Sequence, residues 1–381
     1  MRRPEWRIAA LFSAALIAGC GGDDKVQFGS VVSFGDSVSD AGSYQVGTIA
    51  ALGGGKFTVN GPDGLTWTEV LARQVGVPAQ CAAQTGMLPN NGVTGAPVQN
   101  FANCFNYAQG SSRVSSSGTG PNGVALQTAF GEQNLGFMAI SLKAQIENHL
   151  AKTGGSFGPI DLVTVNAGGN DIFMQLGAVG SAFGGGAAAV ATGTVAGWSN
   201  ATLDAVARGG QDAVNAASAA AVGAMAQAGA ELAGYVKSMI VGKGARYVLV
   251  RNLGDPNLTA YGATLDDATK GLVTAMTQAF NTQLEDGLAG TSAVILFDDY
   301  DFSQSVVANP ASYGFSNITV QSCGPNAFGN PNGASIVCNT GNLIAGDTSR
   351  YAFADSVHPT PYAHQVAADV AMQLMRDAGW Q

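Results

Sequence analysis

Short apolar runs alternate with longer amphipathic stretches along the chain. Four runs of five or six residues, at 30–34, 160–165, 246–250 and 293–297, are mostly apolar from end to end. Runs of this kind are typical of strands buried on both faces of a parallel sheet. A shorter candidate strand covers residues 104–108.

Between these runs, apolar residues recur every three or four positions, as they do in helices that pack on a sheet. Residues 67–74, 141–150, 272–288 and 361–378 have this pattern. Strands that alternate with helices predict an α/β fold with a central parallel sheet flanked by helices. An Ala- and Gly-rich stretch at about 174–232 predicts a helical insertion, either a lid beside a site or a scaffold extension.

The amino terminus has the features of an export signal. Basic residues precede an apolar run at 8–17 that is too short to span a bilayer, and residues 17–20 (Ile-Ala-Gly-Cys) resemble a bacterial lipobox. We therefore expect a signal peptide at 1–19, lipidation of Cys20 and a tether at 20–28. An ordinary signal peptide with an incidental cysteine is the alternative. Lipidation predicts a lipoprotein anchored in the bacterial cell envelope, at the outer membrane, facing the periplasm or the exterior.

Charge and cysteine content narrow the picture further. The formal net charge is −9, which argues against nucleic acid as a partner. An even number of cysteines beyond Cys20 in an exported chain predicts two disulfides, with three pairings possible. The pairing Cys81–Cys104 and Cys323–Cys338 is favoured because each pair brackets a loop rich in Gly, Pro and Asn. No Cys-x-x-Cys spacing or nearby histidine indicates a metal site.

Polar motifs follow the predicted strands, where open α/β sheets bind their ligands. Residues 34–40 (Phe-Gly-Asp-Ser-Val-Ser-Asp) follow the first strand, and residues 168–171 (Gly-Gly-Asn-Asp) follow the second long one. Residues 106–110 end the short candidate strand, and residues 355–359 (Asp-Ser-Val-His-Pro) lie near the end of the chain. A serine, an aspartate and a histidine in this order are the residue types needed for nucleophilic acyl transfer.

These four motifs resemble the four sequence blocks of the GDSL, or SGNH, hydrolases in both order and spacing. The resemblance implies a three-layer, flavodoxin-like SGNH-hydrolase fold for a single domain at 29–381. Two positions depart from the family pattern. Val38 replaces the leucine of the family name, and Ser111 stands where relatives often have a second glycine.

The resemblance also implies a role for each motif residue. Ser37 would be the nucleophile, His358 its base, and Asp355 the group that orients the imidazole. The oxyanion would be bound by the backbone N–H groups of Ser37 and Gly110 and by the Asn170 amide. Glycine at 110 would leave room for the substrate oxygen to approach the backbone. No metal or cofactor is implied.

Other interpretations of these residues stay open. Asn170 and Asp171 could cap the following helix. Asp36 and Asp40 could be a glycosidase carboxylate pair, although hydrogen bonds that fix the Ser37 turn explain them more simply. Of the other two histidines, His149 is expected to pack in the protein or to face solvent, and His364 is expected to be structural.

The sequence thus predicts a serine carboxylic-ester hydrolase that acts on lipid-like or small-molecule acyl esters. The alternatives are acyl transfer to an alcohol, deacetylation of a polysaccharide, and a non-catalytic surface-binding lipoprotein. The sequence does not fix the oligomeric state.

Overall fold

A computed structural model describes residues 25–89, 92–114 and 139–381 of the chain. The predicted signal peptide at 1–19, the lipidation site Cys20 and the first part of the tether lie outside these residues, so they stay predictions. Within the described ranges, no helix is long and apolar enough to cross a membrane.

The secondary structure alternates strands and helices, as the apolar pattern predicts. The strands of the described residues are β1 (Ser30–Gly35), β2 (Gln84–Met87), β3 (Ala96–Asn100), β4 (Asp161–Asn166), β5 (Tyr247–Arg251), β6 (Val294–Phe297), β7 (Asn317–Gln321) and β8 (Tyr351–Phe353). The α-helices there are α1 (Gly47–Ala51), α2 (Trp67–Gln74), α3 (Leu142–Lys152), α4 (Gly169–Ala182), α5 (Gly186–Val195), α6 (Asn200–Arg208), α7 (Gly210–Tyr235), α8 (Asp267–Leu288), α9 (Asp299–Ala308) and α10 (Pro361–Asp377).

The central sheet is parallel, with the strand order β1-β4-β5-β6. The four long apolar runs form these four strands, so that prediction is confirmed. The candidate strand at 104–108 lies along the free edge of β1. There the N–H of Ser33 donates to the carbonyl of Phe105, and the N–H of Tyr107 donates to the carbonyl of Ser33. With this edge segment included, the order is that of flavodoxin-like sheets.

Alternate residues of each strand face opposite layers of helices. Val32, Val163 and Val248 pack in one core with side chains of α3, α4, α7 and α8. Val31 and Leu162 pack on the other face in a second core with side chains of α2 and α10. The fold is therefore the expected three-layer α/β arrangement, with its sheet buried on both faces.

The Ala- and Gly-rich stretch at 174–232 forms α5, α6 and most of α4 and α7. Ala217, Met225 and Leu232 of α7 are fully buried in the same core as β4 and β5. Small side chains allow α7 to lie close to α8: a Cβ on Gly229 would overlap the backbone of Phe280. These contacts favour the scaffold interpretation of this stretch over the lid interpretation.

Two disulfides join Cys81 to Cys104 and Cys323 to Cys338. This is the pairing that the sequence favours. The small sheets β2–β3 and β7–β8 and the helix α9 carry no strong apolar pattern, so the sequence does not predict them.

His149 of α3 is buried in an aromatic cluster. Its ring stacks on Phe157 at 4.4 Å between centroids and meets the rings of Phe34 and Tyr107 edge-on. Neither ring nitrogen has a hydrogen-bond partner among the described residues. Burial lowers the pKa of His149 from 6.5 to about 4, with a smaller opposing effect from the charge of Asp161. His149 is therefore neutral in the folded protein at neutral pH.

We predict that His149 makes folding sensitive to acid. Below pH 6.5 the unfolded chain binds a proton at His149 that the folded protein rejects until about pH 4, so stability falls as pH decreases through this window. The loss from this group is at most about 3 kcal/mol. His149→Phe keeps the ring and removes the titration. Melting temperatures from pH 8 to 4.5 should therefore fall less in the variant than in the wild type. An equal fall in melting temperature over this pH range for the two proteins would contradict this prediction.

Candidate active site

Ser37 lies in a tight turn at the carboxyl end of β1. The turn is a short 3₁₀ helix, Ser37–Ser39, whose Val38 N–H donates to the carboxylate of Asp36 at 3.1 Å. Burial raises the pKa of Asp36 to about 6, although the N–H of Val38 and the charges of His358 and Arg251 oppose this shift. Asp36 thus fixes the turn that carries Ser37.

Asp40 fixes the next part of the same loop. Its carboxylate accepts hydrogen bonds from the N–H groups of Gly42, Ser43 and Gly110 and from the hydroxyl of Ser43, at 2.6–2.9 Å. Burial raises the pKa of Asp40 to about 6, and the four donors oppose this shift. Both oxygens of Asp40 and one oxygen of Asp36 accept hydrogen bonds that fix this loop. These contacts support structural roles for the two carboxylates and disfavour a glycosidase pair.

His358 brings the end of the chain to Ser37. It lies between β8 and α10, and its Nε2 is 2.9 Å from the Ser37 hydroxyl. Its Nδ1 is 2.8 and 2.9 Å from the two carboxylate oxygens of Asp355. A carboxylate can only accept, so Nδ1 carries the proton and Nε2 accepts the hydrogen bond from Ser37. The three predicted residues therefore form one hydrogen-bonded chain.

The carboxylate of Asp355 is ionised in this arrangement. Burial alone would raise its pKa, but the adjacent positive charge of a protonated His358 and hydrogen bonds from His358, Ser335 and Val357 hold the pKa well below its usual range. An acceptor of fixed charge beside Nδ1 stabilises the imidazolium that forms when His358 takes a proton.

Asn170, the second residue of α4, lies at the same end of the sheet. Its side-chain amide donates one hydrogen bond to the carbonyl of Ser112 at 3.0 Å. Its neighbour Asp171 pairs with Arg113 at 3.1 Å and accepts the N–H of Val114, so it does not cap α4. Burial raises the pKa of Asp171, and the charge of Arg113 opposes this shift. These contacts join the loop after the edge segment to the start of α4.

Gly110 differs from the sequence-based expectation in two respects. Its N–H donates to Asp40 at 2.9 Å, so oxyanion binding at this N–H would require sharing or breaking that bond. The space beside its Cα is filled by the ring of Phe57, which a Cβ would overlap. Glycine is therefore needed here for packing against Phe57, and the approach of a substrate oxygen to this backbone stays a prediction. The next residue, Ser111, has a left-handed backbone with φ 71°, which suits the glycine common in relatives.

A cleft with a cavity volume of about 270 Å³ opens beside Ser37, His358 and Asn170. Its polar end includes Arg251, which pairs with Asp299 at 2.8 Å and lies over the rings of Trp67 and Phe297. The rest of the wall is mostly apolar and includes Phe173, Leu258, Phe302, Val306, Phe315, Ile318 and Phe353. In the part of the chain that the structure describes, no group of three His, Cys, Asp or Glu side chains could hold a metal ion.

Sequence reasoning missed several residues that hold this site together. Phe57 packs against the ring of His358 at 5.0 Å between centroids, and Ser335 contacts both Asp355 and His358. Neither residue belongs to a motif. The other two histidines have structural contacts. His149 packs among aromatic rings instead of facing solvent, and His364 accepts the backbone N–H of Trp67.

The sequence matches the family model described as GDSL-like Lipase/Acylhydrolase over residues 31–371. A search of the curated proteins finds no match. The matched region extends from β1 into α10, so it contains every residue of the site described above.

We predict that Gly110→Ala destabilises the protein by about 1–3 kcal/mol, because the new methyl group overpacks Phe57. Gly177→Ala in α4 is the matched control, since among the described residues the added methyl group meets nothing within 4 Å beyond its chain neighbours and the adjacent helix backbone. That change should be neutral or stabilise by up to about 1 kcal/mol. Urea unfolding of both variants measures the difference, and equal midpoints would contradict the packing role of Gly110.

Proposed function

The chain belongs to the GDSL-like lipase/acylhydrolase family, and from that premise we propose that it hydrolyses carboxylic esters with Ser37 as its nucleophile. The family is one of hydrolases with the SGNH fold, which agrees with the resemblance of the sequence motifs. The observation that carries the proposal is the hydrogen-bonded chain from Ser37 through His358 to Asp355.

Each step of the proposed reaction uses a contact of the site. As the Ser37 oxygen bonds to the ester carbonyl carbon, its proton passes to Nε2 of His358. The imidazolium, held by Asp355, then protonates the leaving alcohol, and the acyl group stays on Ser37. Water attacks this acyl-enzyme with His358 again as the base, which releases the acid and restores Ser37.

The tetrahedral intermediates need donors that already point at the oxyanion. We assign this task to the backbone N–H of Ser37 and to the side-chain amide of Asn170. An amide NH₂ group has two hydrogens, and the bond to Ser112 uses one of them. That bond holds the amide in place while the second hydrogen is directed to substrate. Gly110 remains a candidate third donor if its N–H is shared between Asp40 and substrate.

The cleft supports an apolar acyl group as the part of the substrate that is bound. Its wall beyond Ser37 is formed by side chains of α9, β7 and β8, and Val306 of α9 is buried there. Burial of a methylene group contributes about 0.8 kcal/mol, so such a wall favours esters with several acyl carbons. A polysaccharide acetyl group would use little of this surface. The predicted anchor at Cys20 would bring this cleft close to membrane lipids.

We predict that Ser37→Ala lowers kcat for p-nitrophenyl butyrate by at least about 10⁴-fold while the protein stays folded. Ser30→Ala changes the serine at the opposite end of β1, whose hydroxyl donates to Asp161, and should retain activity. Equal rates in Ser37→Ala and wild type would refute Ser37 as the nucleophile. Adding a competing alcohol separates the alternatives, because a transferase would form a new ester.

We predict that Val306→Trp shortens the acyl preference. The larger side chain fills the apolar wall, so kcat/KM for the octanoyl ester should fall at least about tenfold relative to the acetyl ester, since each unburied methylene costs about 0.8 kcal/mol. Ser305→Trp adds the same side chain at the adjacent, exposed position of α9 and should leave the ratio unchanged. An unchanged ratio in Val306→Trp would show that the acyl chain binds elsewhere.

A further inference from the structure

Ser335 is a buried serine that touches both members of the acid–base pair. Its backbone N–H donates to Oδ2 of Asp355 at 3.0 Å, and its hydroxyl lies 3.3 Å from Nδ1 of His358. Its accessible surface is 0 %, so water does not compete for these contacts. Ser335 is 20 residues from Asp355 along the chain, and no motif marks it.

The remaining hydrogen bonds to Asp355 come from its own turn. Oδ1 accepts the N–H groups of Val357 and His358 at 3.0 and 2.8 Å, and Nδ1 of His358 contacts both oxygens. Such bonds fix the shape of the turn but not its place in the protein. Among the described residues, the hydrogen bond that ties this carboxylate to a segment outside the turn is donated by the N–H of Ser335.

The Cys323–Cys338 disulfide connects the segment of Ser335 to the segment of Asp355. Cys338 lies three residues after Ser335, and its N–H donates to the carbonyl of Ser335 at 3.0 Å. Cys323 donates its N–H to the carbonyl of Ala354, the residue before Asp355, at 2.9 Å. The disulfide links these two attachments covalently. Ser335 is thereby held beside Asp355 through a short path made of the disulfide and two hydrogen bonds.

Asn60 also holds the segment that contains Ser335 and Cys338. Its side-chain amide lies 3.0 Å from the carbonyls of both Ser335 and Cys338, and its N–H donates to the carbonyl of Cys338 at 2.7 Å. Two residues before Asn60, the Thr58 hydroxyl donates to the carbonyl of Pro359, next to His358. The loop at 56–60 therefore connects Ser335 and His358 a second time.

We propose that Ser335 is a positioning residue for Asp355 and His358, and that the Cys323–Cys338 disulfide supports activity by holding Ser335 in place. This inference rests on the proposed esterase function. The Cys323–Cys338 disulfide thus acts on the geometry of the acid–base pair as well as on stability. The Cys81–Cys104 disulfide has no such contact and should act on stability alone.

Ser335→Ala tests the hydroxyl contact. It keeps the backbone N–H, so the protein should fold, and kcat should fall about tenfold with KM unchanged, the effect of one lost hydrogen bond of about 1.4 kcal/mol. Ser322→Ala is the matched control, because that hydroxyl is equally buried, lies next to Cys323 and has no hydrogen-bond partner in the described ranges. The low-field proton NMR signal of His358 Nδ1–H should shift in Ser335→Ala but not in Ser322→Ala.

Two double variants test the disulfide. Cys323→Ala with Cys338→Ala should lower kcat and shift the Nδ1–H signal, whereas Cys81→Ala with Cys104→Ala should keep both near wild type even if its melting temperature falls. Ser335→Ala that matches Ser322→Ala in kcat and in the NMR signal would overturn the inference. If the Cys323 variant does not fold, the Ser335→Ala comparison decides alone. A wild type without esterase activity would instead reject the proposed function, and the NMR comparison would still report on Ser335.

Discussion

The site depends on one constraint: a hydroxyl, an imidazole and a carboxylate from distant parts of the chain must meet at hydrogen-bond distance. Ser37 and His358 are 321 residues apart, yet their side-chain atoms are 2.9 Å apart. The parallel sheet places Ser37, because the carboxyl ends of its strands lie at one edge. Asp355 and His358 are placed by loops, where no regular backbone hydrogen bonding fixes a side chain. The contacts made by those loops are therefore as important to the geometry as the sheet itself.

Buried carboxylates hold these loops. Asp40 accepts an N–H from the second motif, Asp171 pairs with Arg113 beside that motif, and Asp355 accepts the N–H of Ser335. On burial, each carboxylate loses its hydrogen bonds to water and accepts hydrogen bonds from another segment instead. Without such donors, burying the charge would cost on the order of several kcal/mol of free energy. The acidic residues of this site thus act mainly on the backbone. Asp355 in addition accepts a hydrogen bond from the imidazole of His358.

The sequence predicted what regular patterns and short motifs encode. Continuous apolar runs placed the four long strands, motifs directly after two of those strands marked Ser37 and Asn170, and a motif near the end of the chain marked Asp355 and His358. It did not predict Phe57 or Ser335, because their importance comes from tertiary contacts that leave no periodic trace along the chain. For Gly110 the sequence marked the residue but not its packing role. Only the structure shows that its hydrogen is bound to Asp40 and that Phe57 occupies the space beside it.

The most direct measurement is to locate the nucleophile chemically. An alkyl fluorophosphonate forms a stable adduct with a serine that is activated by a neighbouring base, and peptide mass spectrometry identifies the modified residue. We expect a phosphonyl group on the peptide that contains Ser37, formed in the folded protein and not after denaturation. A folded protein that stays unmodified, or that carries the adduct on a different serine, would contradict it.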